Sequence, residues 1–514
     1  MKINRKRLVF LLFAVLFACS AVFSIYSCGG DTDDGKTSGN NPTDAGQNDD
    51  GPGGDAGSDT EADTTPVDNY SYPEMDGGGA DFKFMNPTNT WFYYTNLVFD
   101  EPPEEILDDA VYKRNRFIED KFNIEIKEIN ISGDDMWNYN PEVRKAMNTG
   151  LDTYDAIFVP ASFNGTVGAM LTDGFFLDLN DIPTLNLEEE WWNQAMLKEA
   201  AIGTGDQIYY AGSGISLFTL QAASCVFFNE DMMKTLGLDR PYKTVLEGKW
   251  TYDKFQEYIK AGTQLNSATD FKWDNSGTAI YGFVGYEDSS TALLAGSGEL
   301  FIKADSDGKP VIAFEGERFI NALTKIADIL NMNNGNYLYA NESNNIFHYE
   351  PIFRNGRGLM TIGEIKAANV FREMDYTFGI LPIPKYDENQ TNYYSHLINQ
   401  APVLTIPYTN PRAEFTGAVL DALAYVSNRD VTPVLFDVSV SQKQLRNEES
   451  IEMLELIKNT GSFEIGVAYG WTNPLYDKIR TTLGEGKPMD IASEIDKNKD
   501  KIIGNIQKTL DKFD

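Results

Sequence analysis

The sequence predicts an α/β chain built as two lobes, and two observations carry that reading. Strand and helix patterns alternate between Asp81 and Val159, an order that implies a parallel sheet with helices on its faces. The chain also has 514 residues, well past the roughly 250–300 at which a single core stops growing. Asp81 to Met85 reads as a short strand. Pro102 and Pro103 start a helix in which Ile106, Ala110, Val111, Phe117 and Ile118 keep helical spacing to Lys121. Ile124 to Ile129 alternates with period two, a half-exposed strand. Asn140-Pro141 opens a helix through Met147, and Ala156 to Val159 is a buried strand. Ligands of such sheets bind beyond the carboxyl ends of the strands, which puts Asn86–Trp91 and Pro160–Gly165 at a candidate cleft.

Later elements follow the same logic. Thr251 caps a helix carrying Tyr252, Phe255, Tyr258 and Ile259. Leu300 to Phe314 reads as a hairpin closed by Asp305-Ser306-Asp307-Gly308. Phe319, Ile320, Leu323, Ile326, Ala327 and Leu330 share one face of a long helix. Asn410-Pro411 and Asn473-Pro474 each start another. Asp490 to Phe513 is a charged helix with Ile491, Ile495, Ile502, Ile506 and Leu510 inward.

The N-terminal region speaks of location. Lys2, Arg5, Lys6 and Arg7 precede the apolar run Leu8–Tyr26 and then Cys28-Gly29-Gly30. A basic start, an apolar stretch and a small residue before the cut describe an export signal over residues 1–27. The cysteine resembles a bacterial lipobox, with Cys28 as the lipidated mature N-terminus. Cys19, after Leu16-Phe17-Ala18, is the alternative. An uncleaved anchor is a third reading, because the run can just span a bilayer. Each of these readings leaves the rest of the chain outside the cytoplasm on a membrane tether. Residues 28–79 form that tether: acidic side chains with Lys36 alone opposing them, among glycine, serine, threonine and asparagine. Such a segment buries too little surface to offset its ordering entropy, so disorder is expected, extended by like-charge repulsion.

Charge and composition exclude several function classes. A formal net charge of −34 repels phosphate backbones, so no nucleic acid partner is expected. Only two histidines, His348 and His396, are present, which removes the raw material of most metal and histidine-based sites. With Cys28 as anchor, Cys225 is the single thiol of the body, and its apolar setting reads as packing. No G-x-S-x-G, P-loop or H-E-x-x-H occurs. No cofactor or metal is implied; in the loop Asp270–Gly277, Lys272 stands where a calcium loop needs an oxygen ligand.

Five segments in order resemble the extracellular solute-binding proteins of ABC sugar importers, the maltose-binding-protein group. They are Tyr154-Asp155-Ala156-Ile157-Phe158, Asp206 to Ala211, Val226 to Met232 with Leu236-Gly237-Leu238 and Lys249 to Phe255, Phe353 to Met360, and Phe378 to Pro384. The resemblance implies a two-lobed periplasmic-binding-protein-like fold with crossing hinge strands. By analogy, lobe one takes 80–221 and 402–440, and lobe two takes 222–401 and 441–514. It implies a monomeric, non-enzymatic receptor that takes a carbohydrate in the cleft and meets ABC permease subunits at the membrane. A secreted carbohydrate-active enzyme and a surface adhesin or structural lipoprotein are the alternatives. The expected ligand-binding residues are Asn86, Trp91, Ser162, Phe163, Gln221, Glu364 and Trp471. Aromatic rings would supply stacking platforms and the polar groups would meet sugar hydroxyls.

Overall fold

Strand pairing splits the body into two mixed sheets. The computed structural model describes residues 68–88, 96–132, 139–149, 154–161, 166–200, 207–340, 348–398, 400–441, 447–458, 460–462 and 464–513. The expected signal, Cys19, Cys28 and the tether as far as residue 67 lie outside them. The strands are β1 Ala80–Thr88, β2 Ile124–Ser132, β3 Ala156–Pro160, β4 Ser224–Asn229, β5 Tyr281–Gly285, β6 Ile302–Ala304, β7 Pro310–Ile312, β8 Tyr337–Tyr339, β9 Gly358–Glu364, β10 Phe378–Leu381, β11 Ser395–His396, β12 Pro402–Thr405 and β13 Gly461–Ser462.

The first sheet has the order β12-β3-β1-β2. β1, β2 and β3 are mutually parallel, as the strand-helix alternation predicts, and β12 adds an antiparallel edge. Successive side chains point to opposite faces. Phe82, Phe84, Ile124, Ile126 and Phe158 therefore join a core with helix Ala413–Val426, while Ile157, Val159 and Val403 enter a second core. The other sheet runs β10-β4-β9-β5-β8. β5 is parallel to both β8 and β9, whereas β4 is antiparallel to β9 and β10. Cys225 and Phe227 of β4 share the core cluster of Ile157 and Val403, so one apolar cluster spans both sheets. The expected hairpin is β6–β7, joined antiparallel across the turn at Gly308.

The chain passes between the sheets by short segments. Helix Leu217–Gln221 leads directly into β4. Between β11 and β12 it returns, with Leu397 bridged to Ala223 and the Ile398 N–H on the Ala222 carbonyl (3.3 Å). A third passage joins helix Thr432–Val440, packed on helix Ile106–Phe122, to helix Glu448–Lys458, packed on β10.

One expectation needs correction. The sequence reading extends the disordered tether to Gly79, but residues 68–79 are held on the body. Asp68 pairs with Arg429 (2.8 Å), and Tyr70 donates to Asp421 (2.8 Å) and stacks on Tyr425. Tyr72 lies beneath the Lys121 ammonium, 4.9 Å from ring centre to nitrogen. The physical reason is the pair of tyrosines, whose rings bring buried area that the upstream sequence lacks and whose hydroxyls donate to Asp421 and Asp68. Among the described residues no helix is long and apolar enough to cross a membrane.

Candidate functional site

Both sheets deliver the carboxyl ends of parallel strands to the crossing segments. β3 ends at Pro160, and the next N–H, from Ala161, bonds the Ala401 carbonyl (3.1 Å) of the return crossing. β9 ends at Glu364, and the next N–H, from Ile365, bonds the Ala223 carbonyl (3.0 Å) of the outgoing one. Two strand edges thus meet over one pair of crossings. This is the place where the topological rule for open α/β sheets puts a ligand.

The expected residues distribute unevenly over this region. Trp91, Ser162 and Phe163 lie outside the described residues. Asn86 is on β1 and 1% exposed; its amide donates to Glu128 (2.6 Å), whose other oxygen takes the N–H groups of Leu97 and Val98. That bond ties β1, β2 and the returning loop together, and burial pushes the Glu128 carboxyl up. The Asn86 carbonyl oxygen has no hydrogen-bond partner among the described residues. Gln221 is buried as the last residue of a helix, not in a strand, one step before the crossing. Trp471 is 2% exposed and packed in the core, with its indole N–H on Thr509 of the C-terminal helix (2.8 Å). The ring stacked on it, Tyr469 (centroids 4.8 Å apart), is the half-buried one.

Glu364 sits in the most developed part of the edge. It is 7% exposed and accepts the Tyr286 hydroxyl. Tyr286 directly follows β5 and lies flat against Tyr349, with centroids 5.0 Å apart and planes at 15°. His348 closes the stack at 4.3 Å from Tyr349, and its Nδ1 stands 3.5 Å from Glu350. Beside them Arg480 is engaged by Asp288. Burial drives the Tyr286 hydroxyl well above its ordinary range, and the Glu364 charge adds to the shift. Tyr349 is 1% exposed and serves as packing behind Tyr286; the half-buried Tyr286 ring, with a carboxylate at its rim, suits a ligand that has a C–H face and hydroxyl edges.

Sequence reasoning passed over Tyr286, His348 and Tyr349. Their signal was the run Tyr281-Gly282-Phe283-Val284-Gly285, whose two glycines hide a strand. Gly282 packs so tightly that a Cβ there would stand 1.8 Å from the Ile259 carbonyl oxygen. Treated as a strand, that run sends Tyr286 to a carboxyl end by the rule that selected Asn86. Among the described residues no group of three or more His, Cys, Asp or Glu could hold a metal ion.

The mixed α/β fold is the one shared by several solved substrate-binding and sugar-transport proteins. Three solved structures illustrate the likeness. The cyclic alpha-maltosyl-1,6-maltose binding protein of Arthrobacter globiformis is 14% identical; the match covers 84% of this chain and 100% of that one, with a TM-score of 0.54. A sugar transporter of Rhizobium etli in an open conformation is 11% identical over 83% of this chain and 99% of that one, with a TM-score of 0.54. UgpB of Mycobacterium tuberculosis, in complex with glycerophosphocholine, is 12% identical over 84% and 99%, with a TM-score of 0.52. No protein-family model matches the sequence, and no curated protein matches it. At such identities the likeness defines the fold.

Proposed function

We propose that this chain is the lipid-anchored receptor of an ABC importer, capturing a mono- or oligosaccharide between two lobes and passing it on unchanged. The observation that carries this reading is the half-buried Tyr286 ring, braced on Tyr349 and beside Glu364, at a strand edge that adjoins the crossings. Lobe one would comprise 80–221 and 402–440, and lobe two 222–401 and 441–514. Hinged closure over a solute is an established motion of this protein class. Closure would present one compact shape to the permease subunits. Micromolar capture requires about 8 kcal/mol. A net hydrogen bond contributes only about 0.5–1.5 kcal/mol, so several polar contacts must combine with ring stacking. Asn86, Gln221 and Glu364 are the described polar candidates, and Trp91, Ser162 and Phe163 complete the proposal from sequence.

Calorimetry of the mature protein against a glycan panel tests the capture reading. Binding without turnover is expected. Binding confined to peptides, or hydrolysis of a glycan, would overturn it in favour of another solute class or an enzyme. Anchoring rests on the lipobox-like Cys28-Gly29-Gly30. Globomycin, or Cys28→Ala, should leave unprocessed precursor; precursor that persists only in Cys19→Ala would move the lipid to Cys19.

A further inference from the structure

Glu364 is unusual in its surroundings. A carboxylate with 7% exposure normally has a cation or several donors to offset lost hydration. Among the described residues no Lys, Arg or His lies within ion-pair distance of it, and the Tyr286 hydroxyl is the hydrogen bond it receives. Arg480 is engaged by Asp288, and His348 stands by Glu350. Its field reaches several groups in the same sense. The Glu364 charge raises the Tyr286 and Tyr349 hydroxyls, the Cys225 thiol and the Asp288 carboxyl, in each case after burial as the larger cause. An ionised carboxylate offers about four lone-pair sites, and Tyr286 fills one of them. The remainder can accept donors from a solute.

Resting on the capture reading above, we infer that this site selects by charge: it takes a neutral or amine-bearing sugar and rejects an anionic one, with Glu364 as the selecting group and Tyr286 as the residue that positions it. A sugar hydroxyl or ammonium donates to the open carboxylate lone pairs while the C–H face lies on the half-buried Tyr286 ring, which Tyr349 braces from behind. A uronate or sugar phosphate brings a like charge next to a carboxylate that is only 7% exposed, where the repulsion between like charges acts as a built-in element against the wrong partner.

The test is calorimetry of the mature protein with matched disaccharides that differ only in bearing a hexose, a hexosamine or a hexuronate. The hexuronate is expected to bind at least about a hundredfold more weakly than the hexose, in line with a like-charge cost of several kcal/mol, and the hexosamine at least as tightly. Glu364→Gln should narrow the hexose-to-hexuronate ratio by about tenfold or more, and Tyr286→Phe should narrow it in the same direction, since a residual structural role alone would weaken all three sugars equally. Melting curves confirm that each variant is folded, and Tyr286→Phe keeps the question open to test if Glu364→Gln unfolds. A hexuronate that binds as well as the hexose, or a ratio unchanged in the folded variants, overturns the charge inference while capture stands. Failure of every sugar in a broad panel to bind sinks the capture reading, and this inference with it.

Discussion

Asp421→Asn should destabilise the body by about 3 kcal/mol while leaving solute affinity intact. Asp421 is fully buried on helix Ala413–Val426 and is held by donors alone. Its Oδ1 accepts from the Asn186 N–H (3.1 Å) and from the indoles of Trp191 (3.0 Å) and Trp192 (2.9 Å). Its Oδ2 accepts from the Tyr70 hydroxyl (2.8 Å) and the Asn186 amide (2.6 Å). An asparagine keeps one acceptor oxygen. Placed at the Oδ1 position, it retains the first three donors and turns an NH2 toward the other two. The Tyr70 hydroxyl can rotate to accept, but the Asn186 amide then faces a second donor. A hydrogen bond to a charged group is worth about 1.5–3 kcal/mol, and an unsatisfied buried donor costs about 1–3 kcal/mol. One bond weakened and one lost therefore come to about 3 kcal/mol. For domains of about 150–250 residues this corresponds to a fall in Tm of about 6–12 °C. Thermal and urea unfolding measure it, with an unchanged urea slope showing that stability alone moved. Tyr70→Phe removes a single member and should cost about half as much. A loss below about 0.5 kcal/mol in Asp421→Asn would refute this reasoning, because the donors would then have other partners.

Three further outcomes follow from the same contacts. Trp471→Ala should cost about 3–5 kcal/mol of stability, as buried aromatic truncations do; a wild-type Tm with lost sugar affinity would instead put the ring in the cleft. Gly168→Val should lower the Tm by several degrees, since even a Cβ at this position would stand 2.5 Å from the Tyr469 Cα and 2.8 Å from the Ala468 carbonyl oxygen; an unchanged melt would mean that helix Thr166–Thr172 can retreat. Burial lowers the His396 pKa from 6.5 to about 4, so below pH 6.5 the unfolded chain takes up the proton first and stability falls toward pH 4. His396→Gln should flatten that limb of the stability-versus-pH curve, and an identical limb in the variant would show that other groups set it.

Local signals and long-range signals differed in what they revealed. Thr251 was legible as a cap because its partner, the Lys254 N–H, is three residues away. Ile124 to Ile129 was legible as a strand because Ile124 and Ile126 are buried on either side of the exposed Glu125, although Ile129 itself stands 36% exposed. The helix Leu217–Gln221 was not legible, because it is held by distant contacts, such as Thr219 on the Pro402 carbonyl (2.8 Å), which leave no periodic trace over five residues. The docking of Asp68 to Tyr72 was masked by composition. An acidic, glycine-rich segment reads as solvated until Arg429, Asp421 and Lys121 are seen to meet it. The candidate site shows the same division. Glu364 was named as a candidate from the sequence, and its partner Tyr286 was not, because glycines concealed the strand that delivers it; Asn86, named by the strand-end rule, is buried inside β1 and bonded to Glu128.

The sequence by itself determined the α/β class, the parallel order of the first three strands, and the lack of a histidine-rich metal site or common catalytic motif. These depend on periodicity, residue counts and neighbours within one element, which the chain states directly. Only the tertiary structure decided that an antiparallel strand closes each run of parallel ones, that Trp471 turns its indole toward Thr509, and that Glu364 faces a tyrosine instead of a cation. Those outcomes depend on which residues, hundreds of positions apart, are brought within hydrogen-bonding reach. That proximity is set by the packing of whole elements, and the burial it creates turns a hydroxyl and a carboxylate into a site.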